Sequence, residues 1–544
     1  MRIRLAAMMA AMLLVLVAAV ALGSPYVPVV GAYREIEELW EIEDAREESE
    51  TPLVTRLECN GAPMAYDAQE NRFYCVLGLG HGSEWPDLHI TAPGAGRSLQ
   101  LCFADDYAYD WCDQAIEDGY PYLLMAYTPT QYAYFEVVFT GLPVLSLTVD
   151  VPMEDILRED VPAMLDMASA DDGLSAAPCR IHRRGSAAFF YDKPSYRLEF
   201  TRSTNGHKKV TRDMPVFGEE DTVLLLACWS DPTMMRDRLC WELYERIADA
   251  SEPFAPRQTA YVELLINGEY QGVYLMMEPF DLEKELTRRS AAATDSVYRS
   301  MNIGFLAESE EELGVLAHPL VEGSYFQSHY HPSQGDRFAA LADYIDLLTE
   351  EDDEAFAQKA AARIDIDSIL RYTLYMQATG AEDNVTNNLY IWAHPTGGHE
   401  LYRFAPWDMD QSWQAYGMIA GEEAEKWIFF PVADRIINLD VNGARERLAR
   451  FWKGFTETAF NIDTVQELTQ RYADELNGSG AYARNSWRWG MSGDVADGFG
   501  HVVFASMRLP KIDEAVRIIS ETDGEVAFLV QEDVTVLART IEAE

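Results

Sequence analysis

The chain has 544 residues, of which 48% are hydrophobic and 12% aromatic, so it can bury a large core and is not a disordered protein. Its formal net charge of −47 at pH 7 excludes nucleic acid as a partner, because affinity for a phosphate backbone is built from Lys and Arg.

The first predicted element is an apolar run over residues 5–23, which follows Arg2 and Arg4. Small residues before Ser24 suit a cleavage site, so residues 1–23 are predicted to be a secretory signal peptide. An uncleaved membrane anchor is the alternative, since about 19 apolar residues can span a bilayer. We therefore expect a secreted or cell-surface protein that touches a membrane only if this segment is retained.

Residues 24–50 are predicted to be an acidic linker, either solvated or a marginal helix. Residues 51–150 alternate short strands with turns and are predicted to form a β-sandwich. The expected strands are Arg72–Leu79, Ser98–Phe103, Pro121–Tyr127, Tyr132–Phe139 and Val144–Val149. In an exported protein the local cysteines predict two disulfides, with three pairings open, among Cys59, Cys75, Cys102 and Cys112.

A helix is expected over Met153–Met167, before a core region at residues 176–420. That region is predicted to contain a strand, a helix and a hairpin followed by three helices: Ser195–Phe200, Pro232–Ala248, Ala260–Met277, Phe338–Leu348, Asp352–Arg363 and Asp367–Gly380. Residues 421–544 are predicted to be a helical C-terminal subdomain.

Two acidic motifs flank a predicted β-hairpin near the end of the core region. Asp383 lies five residues before Asn388, and the return strand leads into Asp408 and Asp410. Phosphoryl transfer uses one carboxylate to accept a hydroxyl proton, and an amide and a second carboxylate to hold divalent ions. Asp383 fits the first role, while Asn388 and Asp408 fit the metal roles. Asp410 is either a further metal ligand or a cap for the following turn.

The asparagine-rich strand entry and the Pro-Trp-Asp-Met-Asp turn at 406–410 resemble the signature of the spore-coat protein H (CotH) kinase family. Further blocks agree in the same order: Arg183-Arg184-Gly185-Ser186, Asp192 to Phe200, Trp229 to Pro232 and Asn267 to Leu275. The resemblance spans roughly residues 176 to 490. The chain departs from the family at Ser186 and Ala187, where Asn and Ser or Thr are usual.

The resemblance implies an α+β fold with an atypical, two-lobed protein-kinase-like domain, which binds ATP together with Mg²⁺ or Mn²⁺. Lys193 is the leading candidate for the cation on the nucleotide phosphates and for a catalytic role, with Arg197 and Arg184 next. Glu242, preferred to Glu245, is predicted to pair with Lys193. Glu278 is expected to line the adenine pocket.

The implied function is an exported, metal-dependent kinase that modifies Ser or Thr of secreted, surface or coat proteins. The acidic charge either keeps the chain soluble or attracts divalent ions and basic substrates, and a basic, Ser-rich protein is the expected acceptor in the second case. A surface scaffold or adhesin that uses the same fold without catalysis is the main alternative. Glycoside hydrolysis by paired carboxylates is a third, and it would require an open aromatic groove without a phosphate-side cation.

Overall fold

The computed structural model describes residues 34–529, apart from 97, 105–110, 171, 186, 249–254, 281–294, 301–325, 331–335, 349, 351, 414–425, 492 and 494. The predicted signal peptide therefore lies outside the described residues. Among the helices that are described, none is long and apolar enough to cross a bilayer. The predicted α+β class is confirmed, with a sheet-rich N-terminal region and helices toward the C terminus.

The N-terminal region begins with a helix inside the predicted acidic linker, and this helix buries Leu39 and Ile42. The elements of this region are α1 (Ile36–Asp44), β1 (Glu47–Glu48), β2 (Leu57–Cys59), β3 (Ala62–Asp67), β4 (Arg72–Val76), β5 (Ile90–Thr91), β6 (Gln100–Phe103), α2 (Cys112–Glu117), β7 (Pro121–Tyr127) and β8 (Gln131–Thr140).

These strands form one eight-stranded sheet with the order β5-β2-β3-β4-β8-β7-β6, and β1 adds to β8. A β-sandwich would have two separate sheets. Here β5, β2, β3 and β4 are instead hydrogen-bonded to β8, β7 and β6 in a single sheet, which corrects the predicted β-sandwich. The joining pair is β4 and β8, which run parallel with Arg72 opposite Glu136. One face of the sheet buries a core that includes Phe73 and Phe135.

The two predicted disulfides are not confirmed, since all seven cysteines lie among the described residues and are free thiols. Cys102 packs against α1 on the opposite face of the sheet from its neighbours in sequence, which belong to the core. Successive strand residues point to opposite faces, so Cys102 is directed away from the core that holds Cys59, Cys75 and Cys112. A hydrogen bond from the Cys75 thiol lowers the pKa of Cys59, so these two thiols are neighbours.

A second β region follows and closes on itself. Its elements are β9 (Val144–Val149), β10 (Val161–Ala168), β11 (Gly173–Arg184), β12 (Ser195–Phe200), β13 (Arg212–Met214), β14 (Gly218–Glu220), β15 (Thr222–Leu226), α3 (Arg236–Ile247), β16 (Thr259–Ile266) and β17 (Glu269–Met277), with short 3₁₀ turns at Met153–Asp155 and Ala187–Phe190.

Seven of these strands form a closed barrel in the order β10-β11-β12-β15-β17-β16-β9, and β13 pairs with β14 as a separate ribbon. The helix predicted over Met153–Met167 is wrong, because the segment begins with a 3₁₀ turn and its second half is the barrel strand β10. Ala163, Leu165 and Met167 alternate into the barrel core, a period of two that matches a strand. The strand β9, predicted with the N-terminal sheet, also belongs to the barrel.

The C-terminal region combines a four-stranded sheet with helices. Its elements are β18 (Ser296–Ser300), β19 (Phe326–Tyr330), α4 (Ala339–Leu348), α5 (Asp353–Arg363), α6 (Ile366–Thr379), α7 (Asp383–Thr386), β20 (Leu389–Thr396), β21 (His399–Pro406), α8 (Pro431–Asn438), α9 (Ala444–Thr458), α10 (Ile462–Gly478), α11 (Ala481–Trp489) and α12 (Phe499–Glu521), with 3₁₀ turns at Met409–Gln411 and Ala527–Leu529.

The sheet order is β19-β18-β20-β21, and β20 and β21 form the predicted hairpin. Helix α6 is buried along almost its whole length and supplies the centre of this region. The largest core of the described chain joins α3 and the outer face of the barrel to α6, the hairpin and the C-terminal helices. The barrel and the helical region therefore share one continuous packing interface.

Candidate active site

The first acidic motif lies where α6 passes into the hairpin. Gly380 caps the C-terminal end of helix α6, its φ of 67° is left-handed, and a Cβ added to it would meet the Phe504 ring at 2.5 Å. Glycine is required there, because any side chain would clash as well as strain the backbone. The chain reverses at this point, and Asp383 opens the short helix α7 directly before β20.

The second acidic motif leaves the other strand of the same hairpin. Trp407 O accepts a hydrogen bond of 2.7 Å from Asn384 Nδ2, which ties the two motifs together. Asp408 has a left-handed φ of 55°, and so does Asn388. Asp and Asn tolerate this conformation better than most residues, and strained backbone of this kind is concentrated at functional sites.

Both motifs open into one cleft of about 330 Å³ between the barrel side and the helical region. The structure brings together five predicted residues there, Asp383, Asn388, Asp408, Asp410 and Arg184. Residues from the barrel side, its following turn and the start of α3 complete the walls, and they include Arg184, Tyr191, Ser195, Cys228, Ser230 and Asp237.

Two side-chain amides hold one oxygen of Asp383. Asn388 Nδ2 donates to Asp383 Oδ2 at 2.9 Å, and Asn387 Nδ2 donates to the same oxygen at 3.3 Å. Asp383 Oδ1 accepts no hydrogen bond from any described residue. The amide of Asn388 is also fixed from its other side, because Arg299 donates to Asn388 Oδ1.

The carboxylates of the cleft repel one another. Burial, and after it the charge of Asp408, raise the pKa of Asp383. The same two causes raise the pKa of Asp410 to about 7. The pKa of Asp237 is raised well above its ordinary value by burial and by Asp410 and Asp408. A cluster of acids that resists ionisation in this way is a site that a cation would stabilise.

Asp237 is the residue of this cluster that the sequence did not reveal. It is buried in the first turn of α3, and its Oδ1 accepts a hydrogen bond from Met409 N at 3.1 Å. Ser230 Oγ supports the same turn by donating to Asp410 Oδ2 at 3.0 Å. Asp237 is more than 140 positions away from the acidic motifs, so only packing of α3 against them could indicate its place.

The donor set fits a divalent cation bound together with phosphate. Within the described residues, no three His, Cys, Asp or Glu side chains already converge as a preformed metal cage. Mg²⁺ seldom uses such a cage, because it is usually bound by one or two carboxylates while substrate phosphates and water complete its shell. Asp408 and Asp410 offer the hard oxygen atoms that such an ion prefers, whereas the amide oxygen of Asn388 accepts the hydrogen bond from Arg299, so its predicted metal role stays a prediction.

We expect Mn²⁺ binding at this cleft to weaken as the pH falls below about 7. Asp410 titrates at about 7, and a cation binds its charged form, so a proton competes with the metal. The folded pKa lies above the unfolded value of 3.8, so the metal-free fold gains stability from this group at low pH and loses it as the pH rises through 7.

The measurement is the rise in melting temperature that Mn²⁺ causes at pH 6 and at pH 8. The rise should be larger at pH 8 in the wild-type chain, and Asp410→Asn should reduce that difference. An equal rise at both pH values in the wild type would contradict the assignment of Asp410 to the metal site.

Lys193 is not among the residues that line the cleft. Its ammonium is buried and donates to Val273 O and, at 2.9 Å, to Asn485 Oδ1, and it lies 4.6 Å from the centre of the Tyr274 ring. Burial lowers its pKa to about 7. Lys193 precedes β12, so it does not belong to the strand that carries Arg197. Its predicted catalytic and phosphate-binding roles stay predictions.

The predicted pair of Lys193 and Glu242 is wrong. Glu242 accepts hydrogen bonds from Arg471 and Tyr472 on α10 instead. Glu242 and Asp237 are five residues apart on α3, and five steps of a helix turn through about 500°, so the two side chains lie about 140° apart. Because Asp237 faces the cleft, Glu242 faces the neighbouring helix.

The other predicted cations lie on the cleft side of the barrel. Arg184 lines the cleft, and burial lowers its pKa while Asp408 and Asp237 oppose that shift. Arg197 shares a strand face with Ser195, which also lines the cleft. Glu278 follows β17, and its backbone N–H donates to Gln258 O at 3.0 Å. Its predicted contact with adenine stays a prediction.

The family of the chain follows from a comparison of its sequence with family models. The model of the CotH kinase protein family matches residues 181–519, which is more than half of the 544 residues. The chain belongs to the CotH kinase family. Membership makes it a kinase-like protein of a family associated with the spore coat. A comparison with curated proteins finds no match.

The CotH match contains every predicted site residue and Asp237, but it begins inside β11. Strands β9 and β10, which close the barrel, therefore precede the matched segment. The barrel of this CotH protein cannot be closed by the matched residues alone.

Proposed function

We propose that this CotH-family protein is an exported, metal-dependent protein kinase that transfers phosphate from ATP to Ser or Thr of secreted, surface or coat proteins. The observation that carries the proposal is the meeting of Asp383, Asn388, Asp408 and Asp410 in one cleft with Arg184. A cluster of carboxylates beside an arginine suits a triphosphate bound with divalent ions.

The barrel and α3 correspond in this proposal to the nucleotide-side lobe of a kinase. The β18–β21 sheet and the helices around α6 correspond to the second lobe, with the cleft between them. Residues 24–50 and 51–150 would form N-terminal additions, 176–420 the kinase-like core and 421–544 a helical closing subdomain. Closure of the barrel by β9 and β10 supports an earlier start for the folded kinase unit than residue 176.

The chemical step is an in-line displacement at the terminal phosphorus of ATP. The hydroxyl oxygen of Ser or Thr forms a bond to this phosphorus, and the bond to the β,γ-bridging oxygen breaks with its electron pair remaining on ADP. Asp383 Oδ1 accepts the hydroxyl proton, while two amides fix its other oxygen. The raised pKa of Asp383 makes it a better proton acceptor than an exposed Asp.

The remaining groups of the cleft would bind the phosphates of ATP and neutralise their charge. A divalent ion held by Asp408, Asp410 and Asn388 would supply charge neutralisation of the phosphates when bound. Arg184 adds a fixed positive charge from the opposite wall of the cleft. The acidic protein as a whole would attract a basic, Ser-rich acceptor protein, and its charge of −47 would repel nucleic acid.

The direct test uses chain that lacks residues 1–23, ATP labelled at its terminal phosphate, and a basic Ser-rich protein acceptor. We expect label on the acceptor or on the protein itself only when Mg²⁺ or Mn²⁺ is present. Failure of the wild-type chain to bind ATP with any of these metals, together with no transfer to several acceptors, would favour the scaffold or adhesin alternative.

A further inference from the structure

The side-chain amide of Asn388 is clamped between two charged groups of opposite kind. Its Nδ2 donates to Asp383 Oδ2 at 2.9 Å, and its Oδ1 accepts from the guanidinium of Arg299. A carboxylate can only accept and a guanidinium can only donate, so these neighbours allow one orientation of the amide. Asn388 is also 4% exposed, which leaves it little room to turn.

This arrangement bears on the predicted metal role of Asn388. An amide side chain coordinates a cation through its oxygen, since the nitrogen carries two hydrogens and has no free lone pair to offer. The oxygen is the atom that Arg299 occupies. A positive guanidinium at this oxygen also repels a cation that approaches it.

The guanidinium of Arg299, which now donates to Asn388, is also able to bind a phosphate group. It lies on β18, opposite Tyr390 of β20, and its charge acts on both Asp383 and Arg184. Its Nε–H is buried and has no hydrogen-bond partner among the described residues. Guanidinium groups bind phosphate oxygens with two parallel hydrogen bonds, a stronger arrangement than its contact with one amide oxygen.

We propose that Arg299 is a phosphate-responsive latch: it holds the oxygen of Asn388 in the nucleotide-free protein and releases it for a divalent cation when a nucleotide phosphate draws the guanidinium away. This inference rests on the proposed kinase function. The latch would make the binding of nucleotide and of metal mutually reinforcing. Each ligand favours the same state, in which Arg299 has left Asn388 Oδ1.

The test measures binding of Mn²⁺ alone, by its electron paramagnetic resonance signal, in the full exported chain without nucleotide. Arg299→Met should bind Mn²⁺ about tenfold more tightly than the wild type, because one charge-assisted hydrogen bond no longer competes for Asn388 Oδ1. The same variant should bind ATP more weakly in EDTA, where no metal is present. A gain of metal affinity on loss of a side chain is the diagnostic result.

Two controls separate the latch from simple removal of a positive charge. Arg299→Met should raise Mn²⁺ affinity clearly less in an Asn388→Ala background than in the wild-type background, since only the repulsion by the guanidinium charge is then relieved. Arg517→Met removes an exposed charge far from the cleft on α12 and should leave Mn²⁺ affinity unchanged. If Arg299→Met does not fold, as judged by thermal melting, Arg299→Gln replaces it with the same expected direction.

Two outcomes would overturn the latch. One is an unchanged or weaker Mn²⁺ affinity in the Arg299 variant, and the other is a gain of the same size when Asn388 is absent. If the wild-type chain binds Mn²⁺ and ATP but shows either outcome, only the latch fails. If the wild-type chain binds neither ligand, the proposed kinase function fails first.

Discussion

Asp383→Ala is expected to lower the rate of phosphate transfer about 10²–10⁴-fold, the usual contribution of a positioned proton acceptor. Binding of ATP and Mn²⁺ should persist, because Asp383 is assigned to the acceptor hydroxyl and the other acids of the cleft remain. Asp408→Ala should abolish transfer and weaken Mn²⁺ binding as well, since it removes a metal ligand. The two variants therefore separate proton transfer from metal binding.

Single-turnover transfer with labelled ATP, together with Mn²⁺ titration, checks this prediction. Asn387→Ala is the matched control, because Asn387 donates to Asp383 Oδ2 at 3.3 Å without supplying a proton acceptor, and it should cost much less activity. Asp410→Ala should resemble Asp408→Ala if it is a metal ligand and remain active if it only supports the turn. An Asp383→Ala enzyme within threefold of the wild-type rate would contradict the assigned role.

Arg484→Ala is expected to destabilise the fold by about 3–5 kcal/mol, because it leaves the buried carboxylate of Glu263 with hydroxyl donors but without its cationic partner. Arg484 Nη2 lies 2.8 Å from Glu263 Oε1 on β16, and the Glu263 side chain is fully buried. Arg484 also donates to Thr140 Oγ1 at the end of β8. This group therefore joins α11, the barrel and the N-terminal sheet.

Urea unfolding followed by fluorescence and circular dichroism measures the loss. Arg488→Ala is the matched control one turn along α11, where Arg488 pairs at 2.6 Å with Glu269 and both side chains are about 30% exposed. Exposed pairs of this kind contribute about 0–1 kcal/mol. Equal losses for the two variants would show that burial of Glu263 does not set the stability of this junction.

The acidic motifs could be found from the sequence because their geometry is local. Asp383 and Asp408 are separated by a hairpin whose turn contains two glycines, so the pairing of β20 with β21 brings their ends together. The position of Lys193 could not be predicted from local sequence in the same way. It precedes its strand, and its position is decided by Val273 and Asn485, which belong to distant elements.

The N-terminal half shows the same division between local and distant information. Strands such as Pro121–Tyr127 were predicted with their observed bounds, since alternating residues and turn signals are local. The joining of β4 to β8, the closure of β9 on β16 and the direction of Cys102 all depend on pairing between distant segments. A single sequence does not reveal which strands pair across such distances.

By itself, the sequence determined the family resemblance, part of the helices and strands, and the acids carried by one hairpin. The tertiary structure alone decided which face of α3 meets the cleft, and thereby replaced the expected Glu242 with Asp237 as the acid from this helix. It also revealed Arg299 beside Asn388. Helical and strand periodicity fix the relative directions of side chains within one element, whereas the rotation of that element against the others is set by packing of the whole core.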